Sequence, residues 1–353
     1  MILNKLITPA PYSPWTKADY SAQYFRLTKT SNGKIFKWIS GITSHVYYSN
    51  DDGVTWQSTE NSYNNITSID YYDGYYLMTT YDGIYHGSFT NNVLTFIKNP
   101  SDVLTGTFYK VCHTSFGWIA IGTDGLFRST DRSGYYSWSK LVSSTVTGVC
   151  ETFYGDLMWL VPGYNTYSGI YKCVHGADIT SGSSRTEITN SSNRDLGNGK
   201  GIIMTPVKKR LLIPNKGKID IYSLNETTGY MQWSEKVPIS DQPEMQYRHP
   251  IITATGRIIV CTSMGGIVYT DDDGDTWVRD WGPTPPAGVN YNGVDSIVET
   301  STGRLLLAPS SFEGIYYSDP EYADQYDSRP LTKKEVQELI AECKAYVQSK
   351  KQP

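Results

Sequence analysis

Apolar residues in this chain fall in short runs broken by polar turns, and the runs recur. One set reads "HVYYS" (45–49), "GIYHG" (83–87), "GLFRS" (125–129), "GIYKC" (169–173), "KIDIYS" (218–223), "GIVYT" (266–270) and "GIYYS" (314–318). Aligned at Val46, Ile84, Leu126, Ile170, Asp220, Ile267 and Ile315, these seven copies stand 38 to 50 residues apart. Each is preceded by a second run, such as "GWIAIGT" (117–123) or "GRIIVCTS" (256–263). A third run comes before that, such as "FYKVCHT" (108–114) or "VDSIVETS" (294–301). Gly, Asn, Asp or Ser sits at nearly every join, as turns require. Runs this short and this continuously apolar predict strands buried on both faces rather than helices.

The fourth strand of each unit is heralded by a turn of unusual chemistry. Residues 265–277 read "GGIVYTDDDGDTW", with four carboxylates crowded into five positions. A calcium loop is the first candidate. With Gly274 in sixth place, however, the first place falls on Tyr269 and the twelfth on Asp280, so two key ligands are missing. The stretch "VYYSNDDGVTW" (46–56) offers a better account. The two align as Ser49/Thr270, Asp51/Asp272, Gly53/Gly274, Thr55/Thr276 and Trp56/Trp277. A hydroxyl, an Asp that accepts backbone N–H bonds within its turn, a Gly for positive φ and a Trp anchor together describe a tight hairpin. These residues are expected to be structural and to bind no metal. The spacing resembles the Asp-box motif of sialidase-like (BNR-repeat) β-propellers, S/T-x-D-x-G-x-x-W.

Looser copies occur at "STDRSGYYSW" (129–138) and "SLNETTGYMQW" (223–233), while the seventh, "SDPEYADQYD", reaches no Trp. Its missing strand is expected from the other end of the chain, where "PYSPWTK" (11–17) resembles "YYSWSK" (135–140). No blade buries both its faces alone, and a closed ring leaves no sheet edge open. The expected fold is therefore all-β: a seven-bladed β-propeller with Asp-box hairpins over 1–328, closed by the N-terminal strand, plus a C-terminal α-helix as an arm over 329–353.

That arm reads "LTKKEVQELIAECKAYVQSKKQP". Thr332 and Glu335 stand at capping-box spacing, and Val336, Leu339, Ile340, Cys343 and Tyr346 form an apolar stripe. So short a helix gains little from propensity alone, which makes the stripe a candidate docking surface, with packing on its own propeller as the alternative. "IAECKAYVQSKKQP" resembles the helical joints of tailed-phage fibre and appendage proteins. The resemblance implies a virion protein made in a host cytoplasm, with other virion proteins as partners in a multimeric assembly and a host-surface glycan as a further candidate ligand.

Composition narrows the chemistry. A formal net charge of −4 with no basic run in the propeller argues against nucleic acid. No run has transmembrane length, and the N-terminus lacks the form of a signal peptide. The five cysteines, Cys112, Cys150, Cys173, Cys261 and Cys343, show no metal-ligand spacing and read as buried thiols. No cofactor motif appears. Sialidases pair such boxes with a Phe-Arg-Ile-Pro stretch, and "YFRLTK" supplies Phe25, Arg26 and Leu27 but Thr28 in place of Pro. Arg248, with Glu151 and Glu299, lies on other inner strands, and His113 and His249 do likewise, so Arg26, His113, Arg248 and His249 are candidate ligand contacts. No nucleophile or paired carboxylate of defined separation emerges, so no catalytic residue is assigned. Tyr outnumbers Phe by 29 to 9, which suits polar partners. The leading expectation is a non-enzymatic structural and adsorption platform. A sialidase-like glycoside hydrolase and a cytoplasmic assembly scaffold are the alternatives.

Overall fold

The computed structural model describes residues 15–319, apart from 20–22, 40, 91–92, 101–102, 105, 163–168, 189–200, 225–230, 239–243, 284–292 and 311–313. The described strands assemble into seven four-stranded antiparallel sheets, the blades of a seven-bladed β-propeller. Helix is limited among the described residues to one 3-10 turn, Gly182–Ser184. The expected C-terminal helix, with Val336, Leu339, Ile340, Cys343 and Tyr346, lies outside the described residues.

Six sheets run in chain order from an inner to an outer strand. The seven inner strands are Phe25–Lys29, Ile66–Tyr72, Phe108–Thr114, Gly148–Glu151, Ile203–Met204, Tyr247–Ile252 and Val294–Glu299. They approach one another around the ring axis. Antiparallel pairing sends the inner-to-second and third-to-outer turns to one face, here the hairpin face. The remaining connections emerge on the opposite face, where the inner strands begin.

The seventh blade takes its outer strand from the start of the chain. Thr16–Asp19 pairs with Ile315–Ser318, setting Thr16 opposite Tyr317 and Lys17 opposite Tyr316. The expected closing stretch 11–17 overlaps this strand only at Thr16 and Lys17, and 11–14 lie outside the described residues. Trp15 reaches back to the sixth blade, where its Nε1 donates to the Asp280 carboxylate at 3.3 Å.

Buried apolar clusters lie between blades, one at each of the seven interfaces. Alternation along each strand explains the unbroken apolar runs of the sequence. Ile258 and Val260 pack toward the fifth blade, while Ile259 and Cys261 pack toward the seventh. Leu305 and Leu307 face the sixth blade, and Leu306 and Ala308 face the first. A fully buried Leu or Ile contributes about 1.5–3 kcal/mol over an exposed one. Opening one interface therefore costs on the order of the 5–15 kcal/mol that a whole domain retains.

Candidate functional site

The hairpins with hydroxyl, Asp, Gly and Trp share one geometry. Ser49 Oγ donates to Asp51 at 2.7 Å and accepts from the Gly53 amide at 2.8 Å. Asp51 accepts from the Thr55 amide at 2.8 Å and from the Thr55 hydroxyl at 2.6 Å. In the sixth blade, Thr270 donates to Asp272 at 2.7 Å and accepts from Gly274 at 3.0 Å. Asp272 takes the Thr276 amide at 2.9 Å and its hydroxyl at 2.6 Å. The Thr55 hydroxyl and amide hold the Asp51 carboxyl below its usual range. Burial would raise Asp272, but Thr276 and Thr270 outweigh it and the shift is downward. Gly53 has φ +85°, a conformation that favours glycine, and a Cβ there would stand 2.5 Å from the end of the Leu306 side chain and push it aside.

The tryptophans that close these hairpins pack on the preceding blade. Trp56 lies against the cluster holding Leu306 and Ala308, Trp277 against Leu212 and Ile221, and Trp138 against Leu77 and Ile84. A second bond points the same way. Asp52, at φ +57°, accepts from the Ser301 amide at 3.1 Å. Asp273, at φ +59°, accepts from the Val207 amide at 3.0 Å and from that of Lys208. In the third blade Arg132 holds the same place and pairs with Asp73. Each of the three side chains reaches the inner-to-second turn of the blade before it.

The crowded acids of the sixth blade thus all have protein partners. Asp271 pairs with Arg257 at 2.7 Å, and Arg257 is itself buried over the Tyr269 ring. Lys208 and Arg210 engage Asp275, holding its carboxyl down at about 2. Among the described residues no cluster of His, Cys, Asp and Glu suits a metal ion.

Toward the opposite face, three of the four candidate ligand residues meet at the ring axis. Arg26 Nε donates to Asp295 at 2.7 Å, joining the first blade to the seventh. Arg248 Nη1 stands 4.0 Å from the same carboxylate, while its Nε donates to the Gln246 side-chain oxygen at 3.1 Å. Burial would raise Asp295, but Arg26, His249 and Arg248 together hold it below the usual carboxylate range. Backbone irregularity places these groups. Asp295 sits at a register shift between Val294 and Ser296, and His249 lies in a bulge between Arg248 and Ile251 with φ +45°. Bulges re-aim side chains in this way beside functional sites.

His113 lies elsewhere. Its ring stacks on Tyr72 at 3.3 Å between centroids and meets Trp118 edge-on at 5.2 Å. Burial lowers its pKa, against the opposing charges of Glu151 and Asp73. Glu151 accepts from the Ser115 amide at 2.9 Å and Glu299 from the Ala254 amide at 2.7 Å, so both tie neighbouring blades together. Cys112, Cys150, Cys173 and Cys261 are free thiols. Burial pushes Cys112 to about 11 and Cys150 to about 12, which suppresses their nucleophilicity.

On the hairpin face, Phe153 and Tyr154 of the fourth blade and Val207 of the fifth are 56%, 67% and 78% exposed. Lys209 lies 4.0 Å over the Phe153 ring and links the two turns. Val174, in the adjoining hairpin of the fourth blade, is exposed as well.

The sequence matches no family model and no curated protein. Solved structures resemble it in fold. The β-propeller domain of Cps50 (Swd1) from Myceliophteria thermophila has a TM-score of 0.62 at 12% identity, covering 86% of this chain and 99% of that one. YCF48 bound to D1 peptide has a TM-score of 0.61 at 15% identity, covering 89% and 97%. The extracellular domain of a one component system from B. thetaiotaomicron has a TM-score of 0.63 at 14% identity. The match covers 87% of this chain and 40% of that one, so the chain spans less than half of that relative. At such identities the likeness establishes a β-propeller protein and leaves its activity to the site.

Proposed function

We propose that the chain is a non-enzymatic binding platform of the Asp-box propeller type, a structural and adsorption protein of a tailed-phage virion. It holds other virion proteins around a rigid ring, and its tyrosine-rich surface offers a second contact to a host-surface glycan. The observation that carries this reading is the exposed apolar group on the hairpin face, Phe153, Tyr154, Val174 and Val207. Large apolar side chains grouped on adjoining turns are what a protein partner buries. The resemblance of "IAECKAYVQSKKQP" to phage appendage joints supports the virion setting. YCF48 bound to D1 peptide is a solved example of a similar ring engaged with a polypeptide.

The arrangement at the axis favours binding over glycoside hydrolysis. Arg26, which stands where the sialidase resemblance places a substrate-binding arginine, is already committed to Asp295. The test is co-purification. The protein should travel with virus particles, and Phe153→Ser with Tyr154→Ser should release it without lowering the melting temperature. Recovery of the intact protein only in the particle-free fraction would overturn the virion reading, and turnover of a fluorogenic sialoside would overturn the non-enzymatic one.

A further inference from the structure

Two guanidinium groups at the ring axis share one carboxylate. Asp295 gives its close contact to Arg26, at 2.7 Å, and Arg248 stands off at 4.0 Å. Arg248 instead directs Nε and Nη2 at the neutral amide oxygen of Gln246. His249 adds its influence to the same carboxylate from the bulge. The Arg248 side chain is only 20% exposed, so its charge is partly stripped of water yet still reachable. A cation in that position binds an incoming anion more strongly than one in open solvent.

We propose that this end of the axis binds the carboxylate of an acidic peptide segment, with Arg248 supplying the planar donor fork. The inference rests on the platform reading above and names the chemistry of one partner. An arginine fork matches a carboxylate in two parallel bonds, which an amide oxygen cannot reproduce. Nearby polar groups favour a peptide over a sugar acid. Ser296 Oγ accepts from the Leu27 amide at 2.7 Å, and Arg26 is held by both oxygens of Asp295. A hydroxyl-rich ring therefore finds its nearest partners already engaged, whereas a carboxylate on an extended chain needs only the fork. The exchange is simple: Arg248 releases Gln246 and takes the ligand.

The test uses the full chain and a fluorescein-labelled hexaglutamate peptide, read by fluorescence polarisation, with a hexaglutamine peptide as control. The expected result is binding of hexaglutamate alone, weakened tenfold or more in Arg248→Gln and partly retained in Arg248→Lys, with melting temperatures unchanged. Asp295→Asn, which frees Arg26, should tighten binding several-fold. If that variant fails to fold, the Arg248 pair decides the matter alone. Equal binding by Arg248→Gln and wild type, or equal displacement by sialyllactose, overturns the proposal. So does a wild-type protein that binds no hexaglutamate. Particle co-purification is read separately, so the peptide site can fail while the platform reading stands.

Discussion

Asp52 in the first blade accepts a hydrogen bond from the Ser301 amide in the last, at 3.1 Å, and another from the Ser301 hydroxyl at 2.5 Å. The pair spans the seam between the first blade and the seventh. Asp273 makes the corresponding bond to the fifth blade, but is 4% exposed where Asp52 is half-buried. Removing a buried acceptor leaves its donors unsatisfied, at about 1–3 kcal/mol, while water can take the place of one that is only half-buried. Asp273→Ala should therefore lower stability by about 1–3 kcal/mol and Asp52→Ala by about 1 kcal/mol or less. Denaturant midpoints check the order, and an Asp52 variant that is the weaker of the two would refute the argument.

Tryptophans of the hairpins differ in burial, and their truncation should follow it. Trp138 is buried at 6%, whereas Trp56 and Trp277 are half-buried. Trp138→Ala should cost about 3–5 kcal/mol and the other two about 2 kcal/mol each, through the cavity each leaves between blades. Chemical denaturation of the three variants would test this, and equal costs would show that burial is not the controlling quantity.

Acid should loosen the ring through its hairpin carboxylates. Asp275 titrates at about 2 in the folded protein, against an ordinary value of 3.8, because Lys208 and Arg210 engage it. Asp51, Asp131 and Asp272 are displaced in the same direction. A depressed carboxyl stabilises the fold fully above the unfolded value and loses that contribution as pH falls through the folded one. The melting temperature should therefore drop between pH 3.8 and about 2, and Asp275→Asn should shallow the slope there. An unchanged slope in the variant would remove Asp275 from the account.

Calcium should leave the melting temperature where it is. Asp271, Asp272, Asp273 and Asp275 are each engaged by protein donors, so a cation has to displace bonds rather than fill a vacancy. A rise on adding millimolar calcium that chelator reverses would contradict this.

Deleting residues 1–19 should uncover the edge of Ile315–Ser318 and remove the Trp15–Asp280 bond. Open edges template association between copies, so the truncated protein should aggregate or melt at lower temperature. A monomeric truncation of unchanged stability would show that closure at this seam matters little.

The blade count was legible because the second strand of the blades, such as Leu157–Val161 and Leu305–Pro309, buries both faces, which writes short apolar runs that recur every 38 to 50 residues. The Ser49–Asp51–Gly53 turn was legible because its bonds close within five residues. Asp52 and Asp273 share a position too, but their partners sit in another blade, so no local pattern reveals their task. Asp295 was invisible for the same reason: its partner Arg26 lies 269 residues away. One signal was available for the axis. Pro250 follows His249 inside a strand, and proline there marks a bulge or an edge.

The seam also has a mechanical character. Thr16 lies opposite Tyr317 in an antiparallel pair, so the chain enters and leaves that pair at the same end. Tension applied at residues 15 and 319 therefore peels the two strands apart one hydrogen bond at a time, rather than shearing all of them at once. The remaining blades, whose strands follow one another in chain order, carry no load until this zip has opened. Under pull the ring yields first at its fastening, a built-in weak point that leaves the other six blades intact.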